Sequence, residues 1–160
     1  MTVRIRLARL DDLPSIMHTE NSCFGEESFD TSVVHAFLVR KDSFVLVAVD
    51  DASVIGVAMC HCSERLSRGR IASVAVVGNH QGKGVGTTLI EACEREFRKR
   101  GITRFTLEAA LDNVRAVRTY LSNGYRIMCT INDYYSHGRG AYYMEKDVTM
   151  EGKRVKVKVS

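Results

Sequence analysis

The chain has 160 residues, of which 45% are hydrophobic and 26% charged, the size and composition of one globular domain. Its formal net charge of +4 is mildly basic, and an anionic ligand explains that charge as well as nucleic acid does. The five cysteines are odd in number and form no CxxC pair, which argues against a disulfide framework and a zinc ribbon. The sequence contains neither an apolar run of the roughly 18 residues that a membrane helix needs nor a signal-peptide core, so we expect a cytoplasmic protein without a membrane or nucleic-acid partner.

The first part of the chain predicts a strand, two helices and a hairpin. Apolar and polar side chains alternate at the start, which indicates a half-buried strand, and Asp11-Asp12 before Pro14 is typical of a helix start. In order, the expected elements are a strand over residues 3–7, a helix from about 12 to about 21, a loop over 22–29, a helix from 31 to about 40, and strands over 44–49 and 54–62.

The second part predicts strands alternating with helices. Gly101 after three basic residues is typical of a helix C-cap, and Asp112 or Asn113 is a candidate N-cap. The expected elements are a strand over 71–77, a helix from about 85 to 100, a strand over 102–110, a helix over 114–121, and strands over 125–131 and 141–148. We therefore expect one α/β (α+β) domain over residues 1–150 with helices on both sides of a mixed sheet. The basic tail over residues 151–160 is an edge strand, a partner-binding segment or a frayed end.

A glycine-rich turn, QGKGVG over residues 81–86, joins a buried strand to an amphipathic helix. The glycines at every second position remove β-carbons, and the free N–H groups of a helix start lie at the positive end of the helix dipole. This combination predicts a phosphate or pyrophosphate site. The spacing fits neither the dinucleotide fingerprint nor the Walker A loop, and the alternative is a turn that is rich in glycine only for packing.

The turn resembles the Q/R-x-x-G-x-G/A motif of the GNAT superfamily of N-acetyltransferases, through Gln81, Gly84 and Gly86. The expected element order follows that family over residues 3–148. The resemblance implies a mostly antiparallel sheet of six to seven strands with a splayed central pair, about four helices, acetyl-CoA as cosubstrate and no metal. The residues that it implies for acetyl-CoA binding are Val74, Ala75, Val76, Gln81, Gly82, Lys83, Gly84, Val85, Gly86, Thr87, Asn113 and Tyr120.

A later stretch, LEAALDNVRAVRTYLSNGY over residues 107–125, resembles the RimI/Ard1 branch, the protein N-terminal acetyltransferases. The matching residues are Glu108, Asn113, Ala116, Tyr120 and Gly124, followed by Tyr134-Tyr135 with Gly138. The chain departs from the usual pattern with Gly78 for proline, His80 for an aromatic residue and Gln81 for arginine.

The resemblance implies a role for each of the polar residues in this stretch. Glu108 would be the general base, acting through water, and Tyr120 the general acid at the coenzyme A sulfur. The alternatives are a surface carboxylate on a strand for Glu108 and a core tyrosine for Tyr120. Asn113 is either a contact to the cosubstrate or acceptor, or simply the N-cap of its helix. The backbone of residues 74–76 would bind the pantetheine arm as an added strand does.

The acceptor is expected between two loops. The resemblance implies that Phe24 lines the pocket for the first residue and that Tyr134 and Tyr135 hydrogen-bond the peptide backbone. Glu26, with its neighbour Glu27, attracts a cationic amine or is simply solvated.

We expect acetyl transfer to the N-terminal α-amino group of proteins or peptides. Lysine side chains or small amines are the alternative acceptors, and a non-catalytic coenzyme A-binding module is the alternative class. The resemblance also makes the ribosome or a second subunit a candidate partner, and the oligomeric state stays open. Cys60-His61-Cys62 resembles half of a metal site, but no second ligand pair accompanies it, so we interpret these residues as small buried side chains.

Overall fold

The computed structural model of the chain describes residues 2–149. The strands are β1 (Val3–Leu7), β2 (Ser43–Asp50), β3 (Ser53–Ser63), β4 (Arg68–Val76), β5 (Arg104–Ala110), β6 (Arg126–Ile131) and β7 (Ala141–Asp147). The helices are α1 (Leu13–Phe24), α2 (Thr31–Val39), α3 (Val85–Lys99) and α4 (Val114–Ser122). This is the predicted element order. The assignment of residues 1–150 to one domain stays a prediction, and the predicted tail lies outside the described residues.

The seven strands form one sheet in the order β1-β2-β3-β4-β5-β7-β6. Every neighbouring pair is antiparallel except β4 and β5, which run parallel. The predicted mixed, mostly antiparallel sheet with four helices is confirmed. None of the helices between residues 2 and 149 is long and apolar enough to cross a membrane.

The two central strands separate along their length, as predicted. β4 and β5 pair over only four residues each, Arg68–Ile71 of β4 with Arg104–Leu107 of β5. Beyond that point the register of β4 on β3 shifts by one residue, because Met59 faces Ser73 whereas Cys60 faces Ile71, which leaves Ala72 as an extra residue. The strands then part, and the second half of β4 leaves a gap beside the end of β5.

Two apolar clusters cover the two faces of the sheet. On one face, α3 buries Leu89, Cys93 and Phe97, which follow the predicted four-residue spacing. On the other face, α1 and α2 bury Ile16 and Val34. Burying one such side chain stabilises the fold by about 1.5–3 kcal/mol, so the two clusters hold the sheet rigid beneath any site on it.

The helix α1 is longer than predicted. We expected it to end near Asn21 and a loop to follow, but it continues to Phe24 and a 3-10 turn follows at Gly25–Glu27. Cys23 and Phe24 pack against the α1–α2 cluster, so burial extends the helix by nearly one turn. Gly25, with a φ of 54°, then ends it, because glycine adopts this left-handed region without strain.

Candidate active site

A cavity of about 440 Å³ occupies the gap where β4 and β5 separate. Its lining includes α1 residues Glu20, Cys23 and Phe24 at one end and α4 residues Asn113, Ala116 and Tyr120 at the other. Because α1 packs on one face of the sheet and Tyr120 packs with the cluster on the other, the cavity passes through the sheet. Two reactants can therefore enter from opposite faces and meet between the strands.

The glycine turn lies between β4 and α3, as predicted. Gly82 has a φ of 75° and Gly84, which precedes the first residue of α3, has a φ of 83°. A β-carbon at either position would meet no atom within 4 Å, so backbone angle rather than crowding selects glycine there. The turn leaves open space in front of the first N–H groups of a 15-residue helix, which suits an anion.

Gln81 links the turn to β4 and α4. Its Nε2 donates to the Val76 carbonyl at 2.8 Å, and its Oε1 accepts from Arg115 Nη1 at 3.1 Å. Both polar ends of Gln81 are thus taken up by the protein, and Arg115 brings a cation close to the turn. The sequence reasoning missed Arg115, although its spacing from Arg118 by one helical turn on the polar side of α4 was a readable signal.

The end of β4 turns backbone groups toward the gap. The Val76 carbonyl accepts from Gln81 and from Cys23 Sγ, the latter at 3.3 Å, whereas Val77 N–H donates to Ile55 of β3. Backbone groups alternate along a strand, so those of Val74 face the gap and those of Ala75 face β3. The backbone groups of Val74 and the N–H of Val76 therefore face the gap, whereas the Val76 carbonyl is already used by Gln81 and Cys23.

Glu108 lies in the cavity wall, with only 14% of its side chain exposed, rather than on the open surface. Arg70 Nε donates to both of its carboxylate oxygens, at 3.3 and 3.1 Å. Arg70 Nη2 also donates to the hydroxyl of Tyr134 at 3.1 Å. Burial opposes the charged guanidinium, but the attraction of Glu108 and Tyr134 outweighs it and raises the pKa of Arg70. The sequence reasoning missed Arg70, which precedes the buried run of β4 and gave no motif.

Tyr120 is placed both to pack in the core and to reach the cavity, the two alternatives that the sequence left open. Its ring packs against the α3-side cluster, 6.1 Å from the ring of Tyr125, and it also lines the cavity. Burial raises the pKa of Tyr120, so the hydroxyl is protonated at neutral pH and is a hydrogen-bond donor.

Asn113 is the N-cap of α4, since its Oδ1 accepts from Ala116 N–H at 3.2 Å. This confirms the structural alternative for Asn113. The residue also lines the cavity, so capping fixes its side chain at the α4 end of the site.

The α1 end of the cavity is spanned by two turns that contact each other. Glu27 Oε1 accepts from Ser136 N–H at 2.6 Å, and Glu26 Oε1 lies 2.7 Å from His137 Nε2. We call the turns Gly25–Glu27 and Ser136–Gly138 together the strap. Glu27 lines the cavity, whereas Glu26, predicted to contact the acceptor, is 67% exposed and lies outside the cavity lining.

Three predicted aromatic residues lie at this end. Phe24, Tyr134 and Tyr135 all line the cavity, and the two tyrosine rings pack edge to face with centroids 4.8 Å apart. Burial, reinforced by nearby Tyr134 and Glu108, raises the pKa of Tyr135 to about 12, so its hydroxyl remains a hydrogen-bond donor at neutral pH.

A buried carboxyl, Glu20, also lines the cavity and was missed. Its residue exposure is 1%, its Oε2 accepts from Ser73 Oγ at 2.9 Å, and burial raises its pKa. Glu20 follows Ile16 by one helical turn, so its place on the apolar face of α1 was readable from the sequence.

In the described part of the chain, no group of three or more His, Cys, Asp or Glu side chains is placed to hold a metal ion. Cys60 and Cys62 are buried, while His61 turns outward to Asp42 at 3.2 Å.

Comparison with known proteins gives the family. Residues 12–125 match the model of the acetyltransferase (GNAT) family. Over 120 residues the chain is 30% identical to N-alpha-acetyltransferase 30 of Schizosaccharomyces pombe, covering 72% of this chain and 79% of that relative. Among solved structures, the ribosomal-protein-S18-alanine N-acetyltransferase from Escherichia coli matches with a TM-score of 0.84 at 21% identity, over 96% of this chain and 99% of that one.

A chain from a structure of the NatC complex bound to Gag peptide and CoA matches with a TM-score of 0.83 at 21% identity, over 93% of this chain and 100% of that one. The resemblance to the N-terminal acetyltransferases is confirmed by the relative named N-alpha-acetyltransferase 30, and the solved structures share the fold. The chain belongs to the acetyltransferase (GNAT) family and is an N-acetyltransferase.

Proposed function

We propose that the chain transfers the acetyl group of acetyl-CoA to the α-amino group at the N-terminus of proteins or peptides. The observation that carries the proposal is the cavity through the splayed sheet, with the open glycine turn near one end and Phe24, Tyr134 and Tyr135 at the other. Support comes from the relative named N-alpha-acetyltransferase 30 and from the NatC structure with peptide and CoA.

The residues at the α3 and α4 end fit coenzyme A. The open glycine turn offers main-chain N–H groups to the pyrophosphate, and Lys83 and Arg115 add positive charge beside it. The gap-facing backbone groups of Val74 and the N–H of Val76, whose carbonyl is already used by Gln81 and Cys23, are placed to pair with the amides of the pantetheine arm, in the manner of an added strand. When bound, the cosubstrate supplies an activated acetyl thioester.

Glu108 and Tyr120 divide the two proton transfers. Glu108 accepts the proton of the acceptor amine, directly or through one water, as the amine nitrogen bonds to the acetyl carbon. Tyr120 gives its hydroxyl proton to the sulfur as the carbon–sulfur bond breaks. An α-amine, with a pKa of about 8, loses its proton far more readily than a lysine amine at about 10.4, so a carboxylate base suits N-termini.

The strap end of the cavity suits the end of a chain. Phe24 provides an apolar wall for the first side chain, while the Tyr134 and Tyr135 hydroxyls provide hydrogen bonds for the peptide backbone. Because hydrogen bonds join the two turns of the strap across this end, an acceptor that enters by its tip, as a free N-terminus does, suits the cavity better than a segment from the middle of a chain.

A thiol-release assay with acetyl-CoA tests the proposal. The acceptors are lysine-free peptides with free N-termini, the same peptides with blocked N-termini, blocked peptides with internal lysines, and small polyamines. We expect release only with the free N-termini, and mass spectrometry should find the acetyl group on the α-nitrogen. Turnover confined to blocked lysine peptides or small amines would overturn the proposal, and acetyl-CoA binding without turnover of any acceptor would favour a binding module.

A further inference from the structure

Arg70 has hydrogen-bonding capacity that the protein leaves unused. Its Nε is shared by the two oxygens of Glu108, and its Nη2 donates to Tyr134. Its Nη1 makes no hydrogen bond to any residue between 2 and 149. The side chain lines the cavity and is 34% exposed, so the guanidinium is largely withdrawn from water yet open to a bound molecule. A partly buried guanidinium with free N–H groups favours an anionic partner.

Two arginines line the cavity, and Arg70 is the one that contacts the proposed base, Glu108. Arg139 is held by Asp112 in a bidentate pair at 3.1 and 2.7 Å. Glu20 accepts a hydrogen bond from Ser73 Oγ at 2.9 Å. Glu27, within the strap, accepts from Ser136 N–H, so both carboxylates already have a hydrogen-bond partner in the protein.

Entry of an acceptor amine changes the balance of positive and negative charge around Glu108. A cationic amine that approaches Glu108 has to share that carboxylate with Arg70, so two positive groups compete for one negative group. A carboxylate carried by the acceptor itself would pair with Arg70, so that each of the two positive groups has a negative partner.

Distances allow the acceptor to supply that carboxylate. A base acts within about 2.6–3.2 Å of the amine, or through one water. Arg70 Nε lies 3.1 Å from Oε2 of the same carboxylate. In aspartate and glutamate the side-chain carboxylate is separated from the amine-bearing carbon by only one or two methylene groups. An amine at Glu108 therefore brings an acidic first side chain within reach of Arg70.

We propose that Arg70 selects acceptors that carry a carboxylate close to the reacting amine, foremost chains whose first residue is Asp or Glu. The inference rests on the proposed function and names the acceptor class of the same site. The α-carboxylate of a free amino acid offers the same chemistry, and the experiment separates it from an acidic N-terminus.

The experiment compares matched lysine-free peptides that differ only in the first residue, Asp against Asn and Glu against Gln. For the wild-type enzyme, kcat/KM should favour each acidic peptide by about tenfold, the effect of roughly 1.4 kcal/mol. Arg70→Gln should bring both ratios close to one, and Arg70→Lys should keep part of the preference because it retains the charge. Arg40→Gln, which removes a surface arginine paired with Asp42, is the control and should keep the wild-type ratios.

Each ratio is measured within one enzyme, so a general loss of rate in a variant cancels.

Ratios near one in the wild type, or unchanged ratios in Arg70→Gln, would overturn the inference while the N-terminal function stands. If Arg70→Gln turns over no peptide, Arg70→Lys decides: a reduced acid preference in that variant supports the inference, and an unchanged wild-type ratio overturns it. The wild-type enzyme could instead acetylate glycine in preference to glycinamide, lose that preference in Arg70→Gln, and turn over no peptide. That result would keep the carboxylate site but overturn the proposed function. Turnover of lysine side chains alone would overturn both.

Discussion

Glu26 and His137 join the two turns of the strap, with Glu26 Oε1 2.7 Å from His137 Nε2. Their side chains are 67% and 75% exposed. An exposed polar contact of this kind is worth at most about 1 kcal/mol, so we expect Glu26→Gln to raise the KM for a peptide by at most about fivefold. The KM for acetyl-CoA, whose proposed turn is remote from the strap, should not change.

The same variant tests the sequence-based expectation that Glu26 contacts the acceptor. His137→Ala breaks the same pair from the other side and is the matched partner in a double-mutant cycle. If Glu26→Gln lowers kcat/KM far more than His137→Ala does, Glu26 contacts the acceptor itself. Equal, small and non-additive effects would assign Glu26 to the strap alone.

Glu108→Gln removes the proposed base and keeps the shape of the side chain. General base catalysis contributes about 10²–10⁴-fold, so kcat/KM for a peptide should fall by at least about a hundredfold. Acetyl-CoA affinity, measured by calorimetry, should remain as in the wild type. Glu91→Gln, an exposed substitution on α3, is the control for loss of a carboxylate. If Glu108→Gln keeps full turnover across the pH range, Glu108 is not the general base.

Tyr120→Phe removes the proposed acid and keeps the ring in its place beside Tyr125. We expect kcat to fall by about a hundredfold, the lower end of the range for acid catalysis, because a thiolate departs with little help. Because burial raises the pKa of Tyr120, ionisation of this hydroxyl should cause no loss of wild-type activity up to about pH 10. Tyr142→Phe, which packs against the same cluster but does not line the cavity, is the control.

A normal kcat in Tyr120→Phe would show that water protonates the sulfur. Tyr120 would then have only its packing role.

Gly84→Ala tests the turn that is proposed to hold the pyrophosphate. Gly84 has a φ of 83°, and a residue with a β-carbon pays about 1–2 kcal/mol in this region. If the turn moves to relieve about 1.4 kcal/mol of that strain, acetyl-CoA binds roughly tenfold more weakly. Calorimetry measures the affinity directly. Gly78→Ala is the control, since Gly78 lies just upstream, has no positive φ, and also faces open space. Equal affinities of the two variants would contradict a cosubstrate role for the turn.

Local signals predicted most of the fold because each element carries its own pattern. The four-residue spacing of α3, the Asn113 cap of α4 and the glycine turn were all visible in the sequence and are present in the structure. The end of α1 was predicted too early because its last residues are fixed by packing against the sheet, which no local pattern records.

The candidate site was predictable where a motif marks it and hidden where distant residues meet. Glu108 and Tyr120 belong to one contiguous stretch, and both line the cavity. The partner of Glu108 could not be predicted, because Arg70 lies 38 residues earlier and meets it only through the parallel pairing of β4 with β5. The contact between Glu27 and Ser136, which joins the strap, is another long-range pairing of this kind.

Asp12 should make stability depend on pH in the acidic range. Arg6 donates to both of its carboxylate oxygens, at 2.8 and 2.9 Å, and this bonding lowers the pKa of Asp12 to about 2. A lowered pKa in the folded state means that the stabilisation is complete above the unfolded value near 3.8 and is lost as the pH falls toward 2. Asp12→Asn should therefore lower the free energy of unfolding at pH 7 by up to about 2 kcal/mol, a difference that fades between pH 4 and pH 2. Asp11→Asn, at a carboxylate that is 83% exposed, is the control. A difference between Asp12→Asn and wild type that persists at pH 2 in urea unfolding would show that the carboxylate charge is not its source.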